Sequence, residues 1–127
     1  MSSEIRLGKD TMIVSETSSK GKIIYVNKDF CKISGFSKDE LIGEHHNIVR
    51  HKDMPKAAFK EMWQTIEKGK TWSGIVKNRC KNDDYYWVRA TVYPVTKKNG
   101  KQRYISVRVQ PTDEEIADAI KLYKSMY

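Results

Sequence analysis

At 127 residues, 39% of them hydrophobic and 10% aromatic, the chain is long enough for one packed core, which excludes a disordered tail and a two-domain protein. Its 24 Lys+Arg against 16 Asp+Glu give a formal charge of +8. The bases are scattered and interleaved with acids, so the charge reads as a solvated surface and not as a nucleic-acid or membrane footprint. No apolar run reaches membrane-spanning length and the opening MSSEIRLGKD has no signal-peptide core, so a cytoplasmic protein is expected.

Residues 11–16 (TMIVSE) predict a strand, 18–21 (SSKG) a turn, and 22–27 (KIIYVN) a second strand, together a hairpin. Asn27 is placed to cap a short helix through Phe30 and Ile33. Ser37 and Glu40 then form an S-x-x-E capping box before another short helix that stops at Gly43. In residues 54–69, Met54, Ala58, Met62 and Ile66 recur every four positions, flanked by Phe59 and Trp63, with Pro55 in the first turn. That is an amphipathic helix.

Strand-like runs follow at 71–80, 85–96 and 102–110, joined by KNDD and KKNG turns short enough for antiparallel hairpins. The capping box Thr112–Glu115 opens a last helix with Ile116, Ile120 and Tyr123 along one side. The order predicts an α+β domain: one antiparallel sheet with short helices packed on a face, and a C-terminal helix. Residues 1–111 form the domain and 112–127 a linker helix.

The chain's three histidines, His45, His46 and His51, lie within seven positions. No cysteine spacing supports a zinc site with them, and Cys31 and Cys80 read as free thiols. Nor is there a nucleophile–base pairing or a phosphate-binding glycine loop, so an enzyme is not expected. Period-two alternation puts Trp72, Gly74, Val76 and Asn78 on one face, opposite the more apolar Tyr86, Val88, Ala90 and Val92 of the next strand. If that face points inward, the Asn78 amide needs a partner on an apolar wall. Either a backbone group or a heteroaromatic ligand stacked on Trp72 meets the need. On the fifth strand, Ile105, Val107 and Val109 make an apolar set whose direction stays open.

The stretches HNIVRHKDMPKAAFKEMW, TWSGIVKNRCKNDDYYWVRATVYPV and TDEEIADAIKLYK closely resemble the PAS domain of bacterial aerotaxis receptors, over about Met12 to Tyr123. The resemblance implies the PAS fold, with five antiparallel strands. It also implies non-covalent FAD and a redox- or oxygen-sensing role in signal transduction, as in aerotaxis. The matching positions are Asn27, His46, Asn47, Arg50, His51, Asp53, Trp63, Trp72, Asn78 and Trp87. All but Trp63 and Trp87, which read as packing, are the expected FAD-binding residues, with Arg50 suited to a flavin phosphate. Asp53 also reads as a cap for the helix beginning near Met54.

The resemblance further implies a homodimer and a downstream or partner chemotaxis signalling domain, while the scattered charge and the lack of a long apolar run predict no nucleic acid and no direct membrane insertion. The chain departs from the light-oxygen-voltage pattern: His46 stands where those domains carry their reactive cysteine, and Arg108 where they carry a glutamine. Cys80 replaces a second basic residue of the receptors with little expected consequence. Two other functions remain open: a heme-binding PAS gas sensor with His46 or His51 as axial ligand, and a cofactor-free PAS dimerization module.

Overall fold

The computed structural model describes residues 2–126. Strands β1 (Ile13–Ser18) and β2 (Ile23–Val26) form the expected hairpin, closed at the Ser18–Gly21 turn where Gly21 takes φ 83°. Helices α1 (Lys28–Ser34) and α2 (Lys38–Leu41), a 3-10 turn over His46–Val49, and α3 (Lys56–Glu67) cross over to β3 (Trp72–Arg79), β4 (Tyr85–Thr96) and β5 (Gln102–Val109). The chain then enters α4 (Asp113–Lys124). All pairings are antiparallel, in the order β2-β1-β5-β4-β3.

The local signals act as written. Asn27 Oδ1 accepts from the Phe30 N–H at 3.1 Å, and both capping boxes, Ser37–Glu40 and Thr112–Glu115, are closed. Helix α3 starts later than the stripe suggested. Pro55 is its N-cap, Ala58, Met62 and Ile66 are its buried face, and Met54 is buried from the preceding loop. The cap role for Asp53 is not realised, because the α3 N-terminus has no side-chain cap and the Asp53 carboxylate accepts from Lys77 Nζ at 2.9 Å instead.

The register fixes the faces. Trp72 lies opposite Val92, Gly74 opposite Ala90, Val76 opposite Val88 and Asn78 opposite Tyr86. Tyr86, Val88, Ala90 and Val92 are all buried, so the expected inward face is the actual one. It packs under the short helices and α3, burying Ile13, Phe30, Leu41 and Ile66 almost completely. Each such side chain contributes about 1.5–3 kcal/mol. On β5 the inward set is Tyr104, Ser106 and Arg108, because these pair with the inward residues Thr17, Ser15 and Ile13 of β1. The more apolar Ile105, Val107 and Val109 face the other side.

Helix α4 lies on that other side, along β3 and β4. Ile116, Ala119 and Tyr123 are its buried residues; Ile120 is 40% exposed, so Ala119 takes the place expected of it. Tyr123 donates its hydroxyl to the Ile75 carbonyl, and Arg89 makes a bidentate pair with Glu115 at 3.0 and 3.1 Å. An N-terminal arm, unforeseen from the sequence, docks beside it: the Ile5 N–H donates to the Tyr85 carbonyl at 2.7 Å, and Leu7 is buried. No helix among the described residues is long and apolar enough to cross a membrane.

Candidate ligand-binding site

Between the inner sheet face and α3 lie two adjoining cavities of about 40 Å³ each. His46, Met62, Val92, Ser106 and Arg108 line both. Arg50, Phe59, Trp72 and Asn78 close one end, and Ser15, Trp63 and Tyr104 the other. As they stand, each holds about one water. A planar ring enters only if Phe59, Met62 and Trp72 swing aside, and Met62 is the most adaptable of the three. The Trp72 indole lies flat over Gly74, where a Cβ would come within 2.5 Å of its Cη2. That glycine gives the indole its present berth.

Several polar atoms of this interior lack partners, although Arg108 Nη1 donates to Ser15 Oγ at 3.2 Å. His46 Nε2, Arg50 Nε, Tyr86 Oη and Ser106 Oγ are buried without a hydrogen bond among the described residues. Buried polar atoms normally find partners, and leaving one unsatisfied costs about 1–3 kcal/mol. Three of these residues, His46, Arg50 and Ser106, line the cavities, which fits a polar heteroaromatic guest better than a closed core.

His46 sits between His45 and Trp63, with ring centroids 4.5 and 5.5 Å away. Burial, reinforced by nearby His45, Arg50 and Arg108, pulls its pKa down to about 3, so the ring is neutral. Arg50 lays its guanidinium 3.8 Å over the Phe59 ring and forms none of the ion pairs among the described residues. Burial lowers its pKa as well. Tyr86 is pushed up to about 12 by burial.

Arg50 also faces outward. It lines a surface cleft of about 670 Å³ with Asn47, His51, Lys52, Lys56 and Arg79, against the single acid Asp83. The interior ring pocket and a basic exterior cleft therefore meet at one guanidinium.

His51 Nδ1 accepts the Asp53 N–H at 3.0 Å, which leaves any ring proton on Nε2 and shapes the loop. Burial, then the charge of Lys77, lowers the His51 pKa. The hydrogen bond from Lys77 holds the Asp53 carboxyl below its usual range.

The expected residues thus divide. His46, Arg50, Trp72 and Asn78 line the interior cavities, while Asn47, Arg50 and His51 line the basic cleft. Asp53 lines a separate groove of about 510 Å³ against Lys77, Tyr85 and Trp87. The Asn27 amide is spent on backbone: Oδ1 accepts from Val14 and Phe30, and Nδ2 donates to the Met12 carbonyl. Trp87 packs under α4, whereas Trp63, beside His46 and Tyr104, also walls one of the interior cavities. Sequence reasoning missed Ser15, Phe59, Ser106 and Arg108 as cavity groups. The signal for the β5 pair was its period-two set Tyr104, Ser106, Arg108, overshadowed by the more apolar alternate set.

The family description of the PAS fold matches residues 23–113. The chain belongs to the PAS family. The sequence is similar to the aerotaxis receptor of Escherichia coli, 49% identical over 120 residues, covering 94% of this chain and 24% of that protein. It is also similar to the nitrogen fixation regulatory protein of Klebsiella oxytoca, 26% identical over 77% of this chain and 20% of the relative. This PAS chain therefore spans a quarter or less of the length of either relative. In fold it resembles the dark structure of the blue-light photoreceptor Aureochrome1 LOV, with a TM-score of 0.75 at 17% identity over 91% of this chain and 86% of that one.

Among the described residues no cluster of three or more His, Cys, Asp or Glu is arranged to hold a metal. Cys80 is buried, donates to the Ile33 carbonyl at 3.2 Å, and has its pKa pushed up to about 11 by burial, so it is an inert structural thiol. Cys31 is half-buried.

Proposed function

We propose that this PAS domain binds FAD non-covalently and serves as a redox- or oxygen-sensing module of signal transduction, as in aerotaxis, and not as an enzyme. The carrying observation is the position of Arg50, which lines one of the interior cavities and also the basic cleft. A ligand with a planar ring at one end and a pyrophosphate at the other matches that pairing. The ring goes among His46, Trp72 and Asn78, and the phosphates lie against Arg50 with Asn47 and His51 at the cleft wall. His51 and Asp53 hold the loop that presents Arg50, and Asn27 sets the β2–α1 corner behind it.

FAD supplies reversible uptake of electrons and protons at its ring. The chain's own residues bind the ring, exclude water and respond to its charge. Asn78 has a donor and an acceptor on one rotatable amide, and the neutral His46 ring has one of each. Either group exchanges one hydrogen-bond arrangement for another when its neighbour changes. Such a change biases the domain only by the difference in interaction free energy between the two states. From Asn78 a route runs along β3 to Ile75, whose carbonyl holds Tyr123 of α4. A homodimer partner or a chemotaxis signalling domain then reads the α4 position. Asn78→Ala that keeps both FAD and redox-dependent signalling would remove Asn78 from this route.

A second reading, a heme-binding gas sensor, is favoured by one observation: His46 Nε2 is buried, unpartnered and on the cavity wall. Denaturing the purified protein and chromatographing what it releases decides between them. FAD is expected; heme, FMN alone or no chromophore overturns the proposal.

A further inference from the structure

Strand β3 is one edge of the sheet, and only half of that edge is covered. At Lys77 the backbone groups that point away from β4 are taken: the N–H donates to Met54 Sδ at 3.4 Å, and the carbonyl accepts from the His51 N–H at 3.4 Å. Alternate residues of a strand present their backbone to the same edge, so Ser73 and Ile75 point theirs the same way. The Ile75 carbonyl accepts from Tyr123. The Ser73 N–H and carbonyl and the Ile75 N–H make no hydrogen bond beyond the sheet among the described residues.

This open stretch floors a groove of about 310 Å³, with Ala58 and Glu61 of α3 on one wall and Asp118, Ala119 and Leu122 of α4 on the other. Open edges are commonly blunted by charges or proline on the strand itself. Trp72, Ser73, Gly74 and Ile75 carry neither. The charges stand on the walls instead, and they have one sign. Glu61 and Asp118 are exposed and join no ion pair among the described residues, while Glu115 is held by Arg89. No lysine or arginine lines the groove, on a chain of net charge +8. Such walls repel an acidic strand and attract a basic one. They also oppose a symmetric pairing of two copies through β3, which would bring Glu61 and Asp118 toward their like.

We propose that the edge from Ser73 to Ile75 is a strand-addition site for an extended basic segment of a partner protein. The segment lies between α3 and α4 and pairs its backbone with Ser73 and Ile75. Its alternate side chains fall toward the two walls, where lysine or arginine heads meet Glu61 and Asp118 and their aliphatic stems lie on Ala58 and Leu122. A seated strand also braces α4, the helix that Tyr123 ties to β3. The inference goes beyond the flavin reading and does not depend on it.

The probe is a short peptide of alternating valine and lysine, capped at both ends. It is titrated into the protein as purified, at low salt, and followed by backbone amide NMR. Two control peptides accompany it: one with glutamate in place of lysine, and one with its backbone nitrogens methylated so that it cannot donate. Saturable shifts confined to Ser73, Gly74, Ile75 and the facing residues of α3 and α4 are expected. Each control is expected to bind at least about tenfold more weakly. Ser73→Pro removes one pairing donor at an edge position where proline is tolerated. It should weaken the valine–lysine peptide about tenfold without lowering the melting temperature. The double variant Glu61→Lys/Asp118→Lys, at two exposed positions, should weaken it by at least about the same factor.

No saturable binding, equal binding by either control peptide, or shifts centred elsewhere on the domain overturns the proposal. Shifts at the same amides that grow with protein concentration in the absence of peptide make a second copy the occupant, and overturn it as well. A folded Ser73→Pro that binds like wild type removes the edge assignment. Should Ser73→Pro not fold, the double charge variant decides, and wild-type affinity there sinks the proposal.

Discussion

His46 shows how much of the site's chemistry rests on the environment of one side chain. Burial holds its ring neutral, with a pKa pulled to about 3 from an ordinary 6.5. Between those values the unfolded chain binds the proton and the folded one does not, so stability is whole above pH 6.5 and falls as the pH drops toward 3. At about 1.4 kcal/mol per unit, ligand-free protein is expected to lose about 2 kcal/mol from this group by pH 5. His51, also lowered by burial, adds a smaller loss of the same sign. Urea unfolding at pH 7 and pH 5 checks this: His46→Asn should lose less than half as much as wild type, and an equal loss would place the ring in solvent. At the same scale, Arg50→Ala is expected to weaken FAD binding about 10- to 100-fold, read by quenching of flavin fluorescence.

Among the elements, α4 is the proposed outlet of the response, and two contacts govern how firmly it sits. Thr112 caps its N-terminus, and Tyr123 ties its far end to β3 at Ile75. Thr112→Ala and Tyr123→Phe are each expected to cost about 1 kcal/mol in chemical denaturation. Amide exchange in α4 should quicken while β1, β5 and β4 stay protected, because the sheet order places those strands at the centre. Uniform quickening through the sheet would mean that α4 is an integral part of the core. This scale is also where the sequence was most readable. The capping residues Asn27, Ser37 and Thr112, the α3 stripe and the turns at 81–84 and 97–100 are local signals, and each element appears with them, α3 alone starting later than its stripe. The face of β5 was not local. Ile105, Val107 and Val109 look like core, yet pairing with β1 turns Tyr104, Ser106 and Arg108 inward. Only the register decides that. The docking of Ile5 and Leu7 likewise depends on Tyr85 and Gln110, about 80 and 103 residues away, and no short-range pattern announces it.

At the scale of the whole molecule, the sheet separates two environments. One face, under α3, keeps a positively charged, carboxylate-free interior with unpartnered polar atoms; the other carries α4 and the N-terminal arm. The five matching residues of the interior, His46, Arg50, Trp63, Trp72 and Asn78, come from the histidine loop, α3 and β3. They were legible because they sit in long, distinctive motifs. Arg108 was not: at its position the resemblance to light-oxygen-voltage domains breaks, and only the pairing of β5 with β1 turns it inward. A homodimer belongs to the same reading, and light scattering at rising concentration tests it, with a mass near twice 14.8 kDa expected. The claim on which all of this turns is that a flavin occupies the interior, and a visible absorption spectrum of the freshly purified protein tests it most directly. Two broad flavin bands, with about one flavin per chain, are the predicted result; a single intense Soret band, or a folded protein without colour that stays colourless after incubation with FAD, would contradict it.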